Sequence, residues 1–369
     1  MRFTRTTQVA ALAAAGMLAL SACSESSTSN NSASGSAAPT NIDCASGTLS
    51  AEGSSAQNNA MTEWIKQYQT ACPDATVNYN PTGSGAGVQQ FIAGQVDFAG
   101  SDSALKADEG EVEGAKQRCG GNEAWNLPMV VGPISVAYNV EGVDQLVLDA
   151  ATTAQIFSGS IKKWNDPAIG ALNEGVTLPD AAITVFYRSD ESGTTENFTK
   201  YLAAAAPKDW TKEPAKIWTG TGEGKEKSTG VQQATLQQAN SITYVEWSYA
   251  KDAALGIAAV DNGSGPVTLD ATTAGKALEE AKVVGQGNNL ELDLNSAYTT
   301  TANDVYPIVL VTYEIACSKG LDSTQSALVK SFLTYTASEE GQSLLEGLGY
   351  GPLPSSVDKK VQTSVAALQ

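Results

Sequence analysis

The stretch Tyr187-Arg188-Ser189-Asp190-Glu191-Ser192-Gly193-Thr194-Thr195 decides how this chain reads. It follows a β-favouring run, Ile183-Thr184-Val185-Phe186-Tyr187, and leads into helix-forming residues from Glu196 to Leu202. An arginine therefore stands just ahead of a Ser-Gly-Thr-Thr run on a strand-to-helix turn. A helix start offers unpaired N–H groups and the positive end of a dipole. With a fixed cation and clustered hydroxyls added, the turn suits a tetrahedral oxyanion. Arginine is scarce enough to make this placement informative: beyond Arg2 and Arg5 the chain has only Arg118 and Arg188.

Three turns of the same kind lie upstream. A strand over 44–49 leads to Ser54-Ser55-Ala56 and then to helical spacing over 58–70, with Met61, Trp64, Ile65 and Tyr68 on one side. A strand over 75–80 ends in Pro81-Thr82-Gly83-Ser84-Gly85-Ala86-Gly87, with a helix expected from Val88. A short strand over 96–99 runs into Gly100-Ser101-Asp102-Ser103. The glycines at 83, 85 and 87 let backbone N–H groups come close to a ligand, but their spacing is not that of a dinucleotide fingerprint.

Further on, 124–140 is strand-rich, with breaks expected at Pro128 and at Gly132-Pro133. Helical patterns cover 149–157, 167–172 and 323–345, and β-favouring runs cover 241–247 and 306–316. The loop 219–225 approaches a P-loop but fails it. Thr219 takes the first glycine position, and Glu226 stands where Ser or Thr would bind magnesium. Strands alternating with helices imply open α/β sheets, which bind ligands at the carboxyl ends of their strands.

Composition narrows the chemistry. The 369 residues include 22 Lys and Arg against 40 Asp and Glu, a net charge of −18 that disfavours nucleic acid and anionic lipid. There is no histidine, which removes Ser-His-Asp and Cys-His catalysis and His-ligated zinc together. Residues 1–22 have the basic start, apolar run and small-residue end of a signal peptide, and Leu20-Ser21-Ala22-Cys23 resembles a bacterial lipobox that would leave Cys23 lipidated. Residues 23–42 then form a Ser, Asn, Ala and Gly tether too polar to fold. Cys44, Cys72, Cys119 and Cys317 remain, an even number in an exported protein. Two disulfides are expected, with three pairings open.

From about Cys44 onward the chain resembles the periplasmic-type phosphate-binding proteins that serve ABC-type phosphate importers. The resemblance rests on Gly53-Ser54-Ser55, Thr82 to Val88, Phe98 to Asp102, Gly159 to Asp166, Arg188 to Thr194 and Ile242 to Glu246. Residues 262–302 match little. The resemblance implies a two-lobed α/β fold of type II, each lobe an open sheet, with the ligand in the interlobe cleft. Lobe one would take 43–138 and 300–369 with all four cysteines, and lobe two 139–299. The implied phosphate ligands are Ser55, the Ala56 backbone, Ser84 and Asp102 from lobe one, and Arg188, Ser192, Gly193 and Thr194 from lobe two. Asp190 would hold Arg188.

The implied protein is a monomeric receptor on the extracytoplasmic face of the bacterial cell membrane, anchored by lipid at Cys23. It would pass phosphate to membrane permease subunits, without cofactor, metal or catalysis. Other readings are a receptor for sulfate, molybdate or a phosphonate, and a phosphomonoesterase using Ser192 or Thr194.

Overall fold

The strand Val309–Cys317 is buried at every residue, as a largely apolar, β-branched run flanked by strands on both sides should be. It pairs antiparallel with Phe98–Ser101 on one side and with Ala124–Asn139 on the other. The latter strand changes partner midway. Through Pro133 it lies against Val309–Cys317, and from Ile134 it lies against Ser241–Glu246. One strand is thus shared by the sheets of two lobes, giving the two-lobed type II architecture.

In the computed structural model, which describes residues 42–279 and 281–369, the main sheet runs Ala75–Asn80, Gly47–Gly53, Phe98–Ser101, Val309–Cys317, Ala124–Asn139, Ser241–Glu246, Thr184–Arg188, Glu223–Lys225. The three strands at each end of this order are parallel. Helices cover them. Trp64 and Tyr68 of Asn58–Ala71 are buried, and Tyr68 meets Phe332 edge-on at 5.2 Å in lobe one. Phe198 stacks on Tyr244 at 4.5 Å in lobe two. No described helix is long and apolar enough to cross a membrane. The signal peptide, Cys23 and nearly all of the tether lie outside the described residues.

Several expectations need correction. Pro128 and Pro133 do not break Ala124–Asn139. Pro128 faces Tyr313 where the register shifts between Thr312 and Tyr313, so its missing N–H falls at an irregularity. Pro133 is the last residue before the strand changes partner. The helix Ser84–Ile92 starts four residues earlier than expected, because Ser84-Gly85-Ala86-Gly87 forms its first turn after Gly83 at φ 108°. Gly100 and Ser101 belong to a strand. The helices Glu111–Arg118 and Ser355–Ala366 had no clear pattern in the sequence.

Within 262–302 a short hairpin, Lys282–Val283 with Leu292–Asp293, is laid on Ala124–Asn139 and Val309–Cys317. The Leu290 N–H donates to the Asn126 carbonyl at 3.0 Å, and the Leu292 N–H to the Tyr313 hydroxyl at 3.0 Å.

The disulfides are Cys44–Cys72 and Cys119–Cys317. They close loops of very different length, with sequence separations of 28 and 198. In the chain-entropy account these correspond to roughly 3.5 and roughly 5 kcal/mol. Replacing Cys119 and Cys317 by serine should therefore lower the urea midpoint more than replacing Cys44 and Cys72, as tryptophan fluorescence would show. An equal or smaller loss would mean that local packing, not loop closure, sets the contribution.

Candidate functional site

Five strand ends and helix starts converge on one buried spot between the lobes. From Gly47–Gly53 comes Ser54, whose hydroxyl donates to Asp102 Oδ1 at 2.5 Å. The helix Ser84–Ile92 presents Ser84, whose hydroxyl donates to Asp102 Oδ2 at 3.0 Å and accepts the Asp102 N–H at 3.1 Å. Thr312, on the strand Val309–Cys317, adds a donor to Oδ1 at 2.8 Å. A carboxylate has about four acceptor positions. Two on Oδ1 and one on Oδ2 are filled, leaving one on Oδ2.

That open position faces the other lobe. A Cβ built on Gly193 would lie 2.8 Å from Asp102 Oδ2 and 2.5 Å from Asp102 Cβ, so only glycine lets the lobes meet here. Gly193 begins the helix Gly193–Ala205, capped by Ser192, whose hydroxyl oxygen accepts the Thr195 N–H at 3.2 Å. The Glu196 N–H goes to the Ser192 carbonyl at 3.1 Å. The first two N–H groups, of Gly193 and Thr194, are those that a helix start leaves for an outside acceptor.

Arg188 is 2% exposed and clamped by Asp190: its Nε donates to Oδ1 at 2.7 Å and its Nη2 to Oδ2. Burial opposes the charge, but the Asp190 pair more than offsets it and lifts the guanidinium above its ordinary range. Burial likewise raises Asp190, yet Arg188 and the Lys227 N–H leave its carboxyl below the usual value. The other arm of Arg188, Nη1, donates to Ser228 at 3.1 Å and to Thr194 at 3.4 Å. Ser228 meets Ser55 across the cleft, hydroxyl to hydroxyl at 2.9 Å. The Thr194 hydroxyl donates to Glu246, which is wholly buried and has its second oxygen unpartnered. Asp102 itself is pushed up to about 6, first by burial and then by the nearby Glu246, against its three hydroxyl donors.

This arrangement is a buried set of donors from Arg188 and the Gly193 helix start opposite an open acceptor position on Asp102, with a second unpartnered carboxylate oxygen on Glu246 behind Thr194. It would hold a small oxyanion that carries a proton. Comparison with known proteins agrees with that chemistry. The profile of the PBP superfamily domain matches residues 38–340. Phosphate-binding protein PstS2 of Mycobacterium bovis (strain BCG / Pasteur 1173P2) is 42% identical over all of both chains. Phosphate-binding protein PstS 3 of Mycobacterium leprae is 44% identical over 96% of this chain and 98% of its own. The chain belongs to the PstS phosphate-binding protein family.

Solved folds agree at lower identity. A phosphate-binding protein from Stenotrophomonas maltophilia superposes with a TM-score of 0.63 at 20% identity, over 86% of this chain and 93% of its own. A human phosphate binding apolipoprotein gives 0.67 at 20%, over 85% and 93%.

The structure brings together all the residues that the family resemblance singled out. Ser55, Ser84, Asp102, Arg188, Ser192 and Thr194 are all at most 3% exposed. The Ala56 N–H instead turns to the Ser54 hydroxyl at 3.1 Å. Sequence reasoning placed Ser54 and Glu246 in motifs without giving them a role, and missed Thr312 and Ser228. Glu246 adds a third acid to Asp102 and Asp190 near the hydroxyls.

A second charged cluster spans the cleft beside the site. Glu196 takes a hydrogen bond from Ser103 at 2.9 Å and lies 3.3 Å from Lys106, both of lobe one, and 2.8 Å from Lys200. Burial raises this carboxyl, but the two lysines and Ser103 bring it down to about 2, from 4.5. A lowered value means stability present above 4.5 and lost as pH falls through 2. Glu196→Gln should cost up to about 3 kcal/mol near neutrality, and the gap in melting temperature from wild type should close as pH falls from about 4.5 toward 2. A gap independent of pH would show that the charge of Glu196 contributes nothing.

Proposed function

We propose that this chain is an extracytoplasmic receptor that binds inorganic phosphate and delivers it to an ABC-type phosphate permease. In this reading it acts as a monomer, held at the membrane by lipid on Cys23, and catalyses nothing. The observation that carries the ligand assignment is the open acceptor position on Asp102 Oδ2, next to the helix start of Gly193. An anion with no proton would set lone pairs against lone pairs there. Phosphate near neutrality retains at least one proton and satisfies both walls.

The proposed ligand set is Ser55, Ala56, Ser84, Asp102, Arg188, Ser192, Gly193 and Thr194, with Asp190 fixing Arg188. The contacts refine these roles. Ser192 uses its oxygen for the helix cap, so its O–H remains to donate. Thr194 gives its hydroxyl proton to Glu246, so its N–H is what it offers phosphate. Ala56 must exchange the Ser54 hydroxyl for a phosphate oxygen. Hydrogen bonds to charged groups contribute about 1.5–3 kcal/mol each, so this many fixed donors outweigh the repulsion from an acidic surface that salt largely screens.

One observation favours an esterase: a carboxylate, Glu246, takes the proton of a hydroxyl, Thr194, as a general base would. Thr194 is also held by Arg188 and is 1% exposed, which leaves a leaving group no room to depart. Binding is the reading we adopt.

Asp102→Asn tests the assignment, since it keeps the shape and turns an acceptor into a donor. Calorimetric titration of the ligand-stripped variant should show sulfate gaining on phosphate by at least about tenfold relative to wild type, about 1.4 kcal/mol. An unchanged ratio would remove Asp102 from recognition.

A further inference from the structure

Behind Asp102 lies another carboxyl that the binding account does not use. Glu314 sits on the central strand Val309–Cys317, opposite Gly100 on one side and Leu127 on the other, and is wholly buried. Thr312, two residues earlier and so on the same face, is the Asp102 donor described above. Neither Glu314 oxygen has a hydrogen-bond partner, and neither does Oε1 of the buried Gln57. Gln57 is the polar neighbour of the carboxyl. One Nε2 hydrogen goes to the Tyr79 hydroxyl at 3.1 Å, which in turn donates to the Ser54 carbonyl at 2.7 Å, and the other remains for the carboxyl.

The second Nε2 hydrogen of Gln57 is the one donor these two residues can offer to the three buried acceptor oxygens, so an ionised pair leaves at least two of them unpaired. One proton resolves it. A neutral Glu314 donates its O–H to Gln57 Oε1 and satisfies both residues at once. The titratable groups facing Glu314 are Asp102 and Tyr79, while Gln57 from the helix Asn58–Ala71 and Leu127 from Ala124–Asn139 carry no charge. Among the described residues no cation acts on it. Burial first, then Asp102, pushes the carboxyl up to about 8, consistent with that state.

Gln57 also occupies the N-cap position of the helix Asn58–Ala71, next to the Ser54-Ser55-Ala56 turn. The chain Glu314, Gln57, Tyr79, Ser54, Asp102 therefore connects the buried acid to the acceptor wall of the site. We propose that Glu314 is a positioning residue that works as a neutral acid, its proton holding Gln57 and the Ser54–Ala56 turn in the binding arrangement, so that phosphate affinity weakens when that proton is lost in alkaline solution. This rests on the phosphate reading of the site. On ionisation, the new charge faces Asp102 across dry protein, and the turn must move or water must enter.

The test compares wild type with Glu314→Gln, which keeps the shape and an N–H donor but cannot titrate. Inorganic phosphate is titrated calorimetrically into the full mature chain at several pH values, because the ionisation of free phosphate is the same with both proteins and cancels in the ratio. Wild-type affinity should fall relative to the variant by at least about tenfold between about pH 6.5 and about pH 9.5. Unliganded melting temperatures form the second arm. A value raised from 4.5 to about 8 means stability full below 4.5 and lost as pH rises through 8, so the advantage of the variant should grow over that window. The infrared carbonyl band of a neutral carboxylic acid should be present in wild type near neutrality and absent in the variant, a readout that needs no refolding.

A flat melting difference with no such band overturns the neutral acid. A growing melting difference with a flat affinity ratio makes the acid merely structural and overturns the positioning role. Absence of phosphate binding by wild type at every pH overturns the site reading itself, and the melting and infrared arms separate that failure from the others.

Discussion

Asp102 is taken out of water by hydroxyls from three separate elements, and the rest of the site is arranged around the one acceptor position they leave. Ser54 follows a strand, Ser84 opens a helix, and Thr312 lies within the buried strand Val309–Cys317. Burial alone would protonate the carboxyl. Three charge-assisted donors hold it near 6, where a proton can be shared rather than simply held. Facing it, Gly193 must lack a side chain for the helix start of the other lobe to come within reach.

The positive charge is treated with equal economy. Arg188 spends one edge on Asp190 and turns the other toward Ser228 and Thr194, so its guanidinium is oriented before any ligand arrives. Asp190 and Glu246 both stand near it, and with Asp102 the immediate surroundings are net acidic. Attraction at long range cannot be the basis of anion recognition in a chain of net charge −18. Short, fixed hydrogen bonds in a closed cleft are, because their strength rises as water leaves.

The sequence displayed the strand-to-turn units clearly, because three of the four turns lead a cluster of Gly and hydroxyl residues into a helix start. That pattern located Ser55, Ser84, Asp102 and the Arg188 turn. It failed where the determining feature is a neighbour in space. Pro128 and Pro133 look like breaks until the partner strands are known. Ser228 follows a loop whose only sequence signal was a failed P-loop, and it reaches the site because Glu223–Lys225 pairs beside Thr184–Arg188. Thr312, Glu246 and Glu314 sit inside strands otherwise rich in apolar residues, where a lone polar residue gives no hint of which turn it faces. The hairpin within 262–302 had no periodicity because it is a strap across other strands rather than a layer of its own.

The account as a whole depends on the site reading a proton on its ligand, and one measurement reaches that directly. Wild-type protein, stripped of ligand by unfolding and refolded, is titrated with phosphate and with sulfate in the same buffer near neutral pH. Sulfate matches phosphate in shape but is fully deprotonated, so it meets Asp102 with no hydrogen between them. Phosphate should bind at least about a thousandfold more tightly, about 4 kcal/mol. Sulfate binding within about tenfold of phosphate would contradict the central claim, whatever the fold and the family relationship.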